Sequence, residues 1–138
     1  MKIKTDFVTN SSSTCFVVMR KGKVTLNDFI KIVGVDANSH FKDIYEELFR
    51  LCVNEETKIE DAVRDHHWHK DGESVEEFVK RIFSVNTWDR IVKAKKAGYE
   101  VYMGELSSSE TAVECFFCTE AFVIESDKFI LDATNDGW

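Results

Sequence analysis

Apolar residues change their spacing twice along this chain. A run rich in β-branched and aromatic residues at positions 14–19 predicts an N-terminal strand, followed by a polar turn at 20–23. From about residue 25 to Gly98, apolar positions recur every three or four residues, as in amphipathic helices. After Gly98 they alternate or run together, which is typical of strands.

Five helices are expected in the middle of the chain. Four of them begin near a residue suited to an N-cap, and the second is predicted from its apolar spacing alone. The first, third and fifth end at a glycine or a polar turn. The expected positions are 25–34, 41–53, 57–70, 74–83 and 86–98. The third is expected to begin with a capping box in which Thr57 is the N-cap and Glu60 its partner.

The C-terminal part predicts strands at 99–106, 111–118, 121–125 and 128–132, with a hairpin connection at 125–128. Strands and helices that are segregated in this way favour an α+β fold, because βαβ units would alternate them. We expect one domain, residues 1–138, with an N-terminal strand, about five helices, and a C-terminal antiparallel meander that packs one face on the helices.

Composition narrows the class of protein. The chain has 138 residues, 43% of them hydrophobic and none of them proline, which predicts a folded domain. No apolar stretch approaches the roughly 20 residues that span a bilayer, and no secretory segment follows Lys2 and Lys4. We therefore expect a cytoplasmic protein with free thiols and no membrane partner.

The net charge of −7 is concentrated in the middle of the chain. Residues 43–77 contain 12 acidic and 4 basic side chains, a balance that repels nucleic-acid backbones. Our leading functional hypothesis is an interaction module that binds a basic protein, as acidic inhibitors do. Solvated helix faces are the alternative. The expected interaction surface comprises Glu46, Glu47, Glu55, Glu56, Glu60, Asp61, Glu73, Glu76 and Glu77.

Histidines cluster between Asp65 and Asp71. On a helix, His66 and His69 are three positions apart and would share one face. His67 and Asp71 are four positions apart and would also share a face. Imidazole and carboxylate groups suit zinc, so a metal-dependent enzyme or a metal-binding protein is the rival hypothesis. The alternative is that His66 completes the apolar side of its helix while the other histidines decorate the helix end.

Two further segments carry weaker hypotheses. The polar side chains of Asn10, Ser11, Ser12 and Ser13 suit binding of an anion or small ligand, or a modification, although a simple turn before the strand explains them too. Cys115 and Cys118 have C-x-x-C spacing, but the two intervening phenylalanines favour a buried strand over a metal or redox site.

Residues 5–16, which combine Phe-Val, Thr-Asn and a serine run before an apolar strand, resemble the start of small uncharacterised bacterial proteins. The resemblance implies a bacterial cytoplasmic protein and does not imply any activity.

Overall fold

The computed structural model describes residues 13–34, 36, 41–54, 57–107 and 122–134 of the chain. In these ranges the strands are β1 (Ser13–Arg20), β2 (Thr57–Lys58), β3 (Glu100–Ser107), β4 (Phe122–Glu125) and β5 (Phe129–Ala133). The helices are α1 (Leu26–Val33), α2 (Lys42–Phe49), α3 (Ile59–Asp65), α4 (Val75–Ile82) and α5 (Val85–Lys96), and a π-helical segment, Arg50–Asn54, follows α2. The predicted α+β fold, with an N-terminal strand, five helices and C-terminal antiparallel strands, is confirmed.

The N-terminal strand lies at the centre of the sheet. The strand order is β2-β3-β1-β5-β4, and every described pair of neighbours is antiparallel. Val17 of β1 therefore has Met103 of β3 on one side and Asp132 of β5 on the other. The predicted hairpin between the last two strands is present as the β4–β5 pair.

Both faces of the sheet are covered by helices, rather than the one face expected. Phe16 and Val18 of β1 pack with α1, α2 and the π-helical segment, on what we call the α1–α2 face. Val17 and Met19 pack with α3, α4 and α5 on the opposite α3–α5 face. The reason is visible in β1 itself, where five consecutive apolar residues from Cys15 to Met19 are at most 1% exposed.

Side-chain caps start three of the five described helices, whereas α2 and α3 begin without one. Thr25 and Ser74 each form a complete capping box, at α1 and α4. Ser84 caps α5, so that helix begins at Val85, before the expected range of 86–98. The capping box predicted at Thr57 is wrong, because Thr57 pairs with Met103 as part of a short edge strand and α3 starts without a side-chain cap.

One of the predicted strands, at 111–118 with Cys115 and Cys118, lies outside the described residues. Among the helices that the structure describes, none combines the length and the apolar content needed to cross a bilayer.

Gly104 lies opposite Phe16 in the β1–β3 ladder, and the pair is closely fitted. A Cβ atom at position 104 would lie 2.9 Å from Phe16 Cε2 and closer still to Cζ. Phe16 is 1% exposed and packed in the core, so its ring has little room to move.

We predict that Gly104→Ala lowers the free energy of unfolding by about 1–3 kcal/mol. Replacing glycine in an open strand position would normally stabilise a strand, so the sign of the change reports the overlap with Phe16. Urea denaturation of Gly104→Ala, Phe16→Leu and the double variant forms a thermodynamic cycle. The Gly104→Ala penalty should shrink in the Phe16→Leu background, and an additive double variant would contradict this account.

Candidate functional site

Three side chains of different chemistry meet where β1, β3 and the end of α3 come together. Cys15 and Glu105 are direct cross-strand partners, so both point to the α3–α5 face. His66 Nε2 lies 3.4 Å from Cys15 Sγ and 2.8 Å from Glu105 Oε2. The ligand-type atoms of all three lie within 4.8 Å of one another, and we call this group the Cys-His-Glu cluster.

The end of α3 brings His66 to the sheet. Helix α3 stops at Asp65, and His66 adopts an extended conformation with φ −73° and ψ 136°. The His69 N–H then donates to the His66 carbonyl at 2.9 Å, which closes a turn over residues 66–69. The ring of His66 lies 4.9 Å from Trp68 and 5.4 Å from Phe78, centroid to centroid. These aromatic contacts leave its side chain 8% exposed.

Hydrogen bonds assign the tautomer of the neutral His66 ring. The Trp68 backbone N–H donates to Nδ1 at 3.0 Å, so Nδ1 carries no proton. The proton is on Nε2, from which it is donated to the Glu105 carboxylate. The Cys15 sulfur lies beside the same N–H, and His66 is therefore a donor toward both strands.

The environment of the cluster disfavours charge on the thiol and on the imidazole. Burial, together with the negative charge of Glu105, raises the pKa of Cys15 to about 12. Burial also lowers the pKa of His66, although the hydrogen bond to Glu105 opposes that shift. Near neutral pH the metal-free cluster therefore holds a neutral thiol and a neutral imidazole.

This arrangement is unsuited to a cysteine nucleophile. A Cys-His pair needs an unprotonated ring nitrogen facing the thiol, and a third group that accepts from the other nitrogen. Here Nε2 faces both Cys15 and Glu105, and Nδ1 accepts from Trp68. A thiol with a pKa near 12 supplies almost no thiolate.

The connection between α3 and α4 is held rigidly around the cluster. Arg81 of α4 donates to the Trp68 carbonyl at 2.6 Å and to both carboxylate oxygens of Glu73 at 2.8 Å. His69 Nε2 donates to the Glu73 carbonyl at 2.8 Å. These bonds fix Trp68, and the Trp68 N–H in turn fixes the orientation of the His66 ring.

Of the residues predicted to bind metal, the structure brings only His66 into a group of three ligand-type side chains. The helical spacing behind that prediction is absent, because the chain leaves α3 at His66. His67 stacks on His66 with ring centroids 4.6 Å apart, and His69 is engaged with the Glu73 backbone. Asp71 is exposed in the turn that follows. Within the described ranges, the Cys-His-Glu cluster is the one such group.

The acidic side chains expected to form one interaction surface lie on opposite sides of the sheet. Glu46 and Glu47 are on α2, at the α1–α2 face, whereas Glu60, Asp61, Glu73, Glu76 and Glu77 belong to the α3–α5 side. Glu55 and Glu56 lie outside the described residues. Binding of a basic partner stays a prediction, and one flat partner would contact only a subset of these residues.

Each described member of that acidic set has a partner within the chain. Six form ion pairs and Glu77 accepts from the Ser74 N–H at the start of α4. The ion pairs are Glu46 with Lys42, Glu47 with Arg50, Glu60 with Lys95, Asp61 with Arg64, Glu73 with Arg81, and Glu76 with Lys80. Neighbouring cations weaken the negative field that would steer a basic partner.

Sequence reasoning did not find Glu105, and it considered Cys15 only as a nucleophile with an unidentified histidine partner, not as a metal ligand. Neither belongs to a local motif, and only the β1–β3 register places them together. Asn10, Ser11 and Ser12 lie outside the described residues, and Ser13 is the first residue of β1. Ligand binding or modification in that segment stays a prediction.

Searches with protein-family models, among curated proteins and among solved structures find no match to this chain. The resemblance of residues 5–16 to a bacterial chain start therefore stays a prediction as well.

We predict that the free energy of unfolding of Glu73→Gln falls less steeply at acid pH than that of the parent protein. The Arg81 hydrogen bonds lower the pKa of Glu73 from 4.5 to about 2. A depressed pKa stabilises the fold above the unfolded-state value, and this contribution is lost as the pH falls from about 4.5 toward 2. Denaturant unfolding at several pH values should therefore show a steeper loss in the parent than in Glu73→Gln.

Glu76→Gln is the matched control, since Glu76 forms an exposed pair with Lys80 one turn away. Its acid limb should follow that of the parent protein. Equal slopes for the parent and Glu73→Gln in this pH window would contradict the role given to the Arg81 pair.

Proposed function

We propose that this protein binds a transition-metal ion, with zinc as the best match, through Cys15, His66 and Glu105. The observation that carries the proposal is the convergence of a sulfur, an imidazole nitrogen and a carboxylate oxygen within 4.8 Å of one another. Ligands of a tetrahedral zinc ion lie about 2.0–2.3 Å from the metal and therefore about 3.3–3.8 Å from each other, which is within this limit.

The ligand types select zinc over the hard cations. Calcium and magnesium prefer oxygen ligands, whereas thiolate and imidazole suit zinc and other late first-row metals. Three protein ligands also leave a fourth position, which water fills in many zinc proteins. Glu105 is the most accessible of the three side chains, with 31% of it exposed, so solvent reaches the cluster from its side.

Metal binding must reverse the hydrogen bonding of His66. A coordinated Nε2 carries no proton, so the neutral ring must hold its proton on Nδ1, where it now accepts from the Trp68 N–H. That hydrogen bond is lost, at a cost of about 1–3 kcal/mol for an unsatisfied donor. Coordination must outweigh this cost together with the lost His66–Glu105 hydrogen bond and the removal of the Cys15 proton.

We predict that protein purified without a histidine tag binds one zinc ion per chain, measured by elemental analysis and by competition with a chromophoric chelator. Glu105→Gln and His66→Gln should each weaken binding by at least about tenfold, because each removes a ligand. Cobalt loading should give a sulfur-to-cobalt charge-transfer band in the near ultraviolet, and Cys15→Ser should abolish that band.

Two sets of control variants separate this site from the others in the chain. His67→Gln with Asp71→Asn removes two of the four residues in the helical histidine hypothesis and should retain full binding. Cys115→Ser with Cys118→Ser removes the C-x-x-C pair and should retain it too. Absence of stoichiometric metal in the parent protein, or loss of binding only in a set of control variants, would contradict the proposal. Circular dichroism checks that each variant is folded.

We further predict that zinc affinity rises about tenfold per pH unit between pH 7 and 8. The thiol of Cys15, with a pKa of about 12, is protonated at both values, and coordination must displace its proton. His66 is already neutral there, because its pKa is lowered from 6.5. Chelator competition in the Cys115→Ser/Cys118→Ser background measures the slope. An affinity that did not change with pH would mean that no thiol binds the ion.

A further inference from the structure

A cavity of about 540 Å³ lies at the opposite end of β1 from the Cys-His-Glu cluster. It opens between the turn that joins β1 to α1 and the hairpin that joins β4 to β5. Lys21 N–H donates to the Lys128 carbonyl at 2.9 Å, which ties the turn to the hairpin. The Tyr99 hydroxyl donates to the Asp127 carbonyl and holds the hairpin from the other side.

The cavity is basic although the chain as a whole is acidic. Four lysines and two aspartates line it, a formal charge of +2 in a protein of net charge −7. The lysines are Lys21, Lys23, Lys31 and Lys128, all exposed. Within the part of the chain that the structure describes, Lys23, Lys31 and Lys128 form no ion pair. This contrasts with the paired cations of α3 and α4, Arg64, Lys80 and Arg81.

One of the two aspartates, Asp28, is engaged with the backbone at the start of α1. The Asp28 carboxylate accepts from the Thr25 backbone N–H at 3.1 Å and is fixed at the start of α1. The Thr25 hydrogen bonds lower the pKa of Asp28, and the charges of Lys31 and Lys128 lower it further. Lys31 and Lys128 line the same cavity as Asp28.

We propose that this cavity binds a small organic phosphate through its lysine side chains. Lysine binds phosphate as a point charge, and a net charge of +2 matches a phosphate monoester dianion. A volume of about 540 Å³ is within the range of small-molecule sites and has room for more than one phosphate group. Buried Val24 and Phe129 form part of the wall, against which the carbon skeleton would lie.

The test is an amide NMR titration with ribose 5-phosphate, using ribose at matched ionic strength as the uncharged partner. Ribose 5-phosphate should give saturable shifts confined to residues 21–32 and 126–129, and ribose should give none. Inorganic phosphate should shift the same amides with weaker affinity, because it leaves most of the cavity empty. Equal affinities for ribose 5-phosphate and inorganic phosphate would overturn the proposal of an organic phosphate ligand.

Lys31→Gln with Lys128→Gln should weaken ribose 5-phosphate binding by about tenfold or more, since two charged hydrogen bonds are removed. Lys93→Gln with Lys96→Gln changes the net charge equally on exposed α5 and should leave the affinity unchanged. Equal losses in both double variants, or no saturable shift with the parent protein, would overturn the proposal. Cys15→Ser should bind ribose 5-phosphate normally, so this test is independent of the metal site.

Discussion

The burial of β1 on both of its faces is the constraint on which the rest of the structure depends. Neighbouring residues of a strand point to opposite sides, so five consecutive buried apolar residues require a covering layer on each side. The helices divide accordingly, with α1 and α2 on one face and α3, α4 and α5 on the other. A central position follows as well, because only a strand with neighbours on both edges satisfies its backbone inside such a core.

Chemistry arises where this buried strand meets polar side chains from its neighbours. Cys15 is carried into the α3–α5 face by the same alternation that buries Val17 and Met19, and there it meets Glu105 and His66. The end of α3 and its connection to α4 supply the imidazole, while Arg81 keeps that connection in place. Burial keeps this thiol protonated and unsuited to covalent catalysis, and the proposal of metal binding is based on the convergence of the three ligand types.

Local patterns in the sequence predict the helices and strands better than they predict the site. Capping residues and apolar spacing locate α1 and α4, because these signals act within a few residues. The same capping pattern fails at Thr57, where pairing with β3 wins over local propensity. His66 is visible in the sequence as part of a histidine cluster, but Cys15 and Glu105 are 90 positions apart and meet only through strand register. The spacing of apolar residues in the sequence does not predict which residues of β1 and β3 face each other.

The most direct measurement is X-ray absorption at the zinc edge of the zinc-loaded protein. The three candidate sites of this chain differ in sulfur content, so the first coordination shell distinguishes them. The Cys-His-Glu cluster predicts one sulfur at about 2.3 Å, with nitrogen and oxygen ligands at about 2.0–2.2 Å. A shell of nitrogen and oxygen alone, or one with two sulfurs, would contradict binding by Cys15, His66 and Glu105.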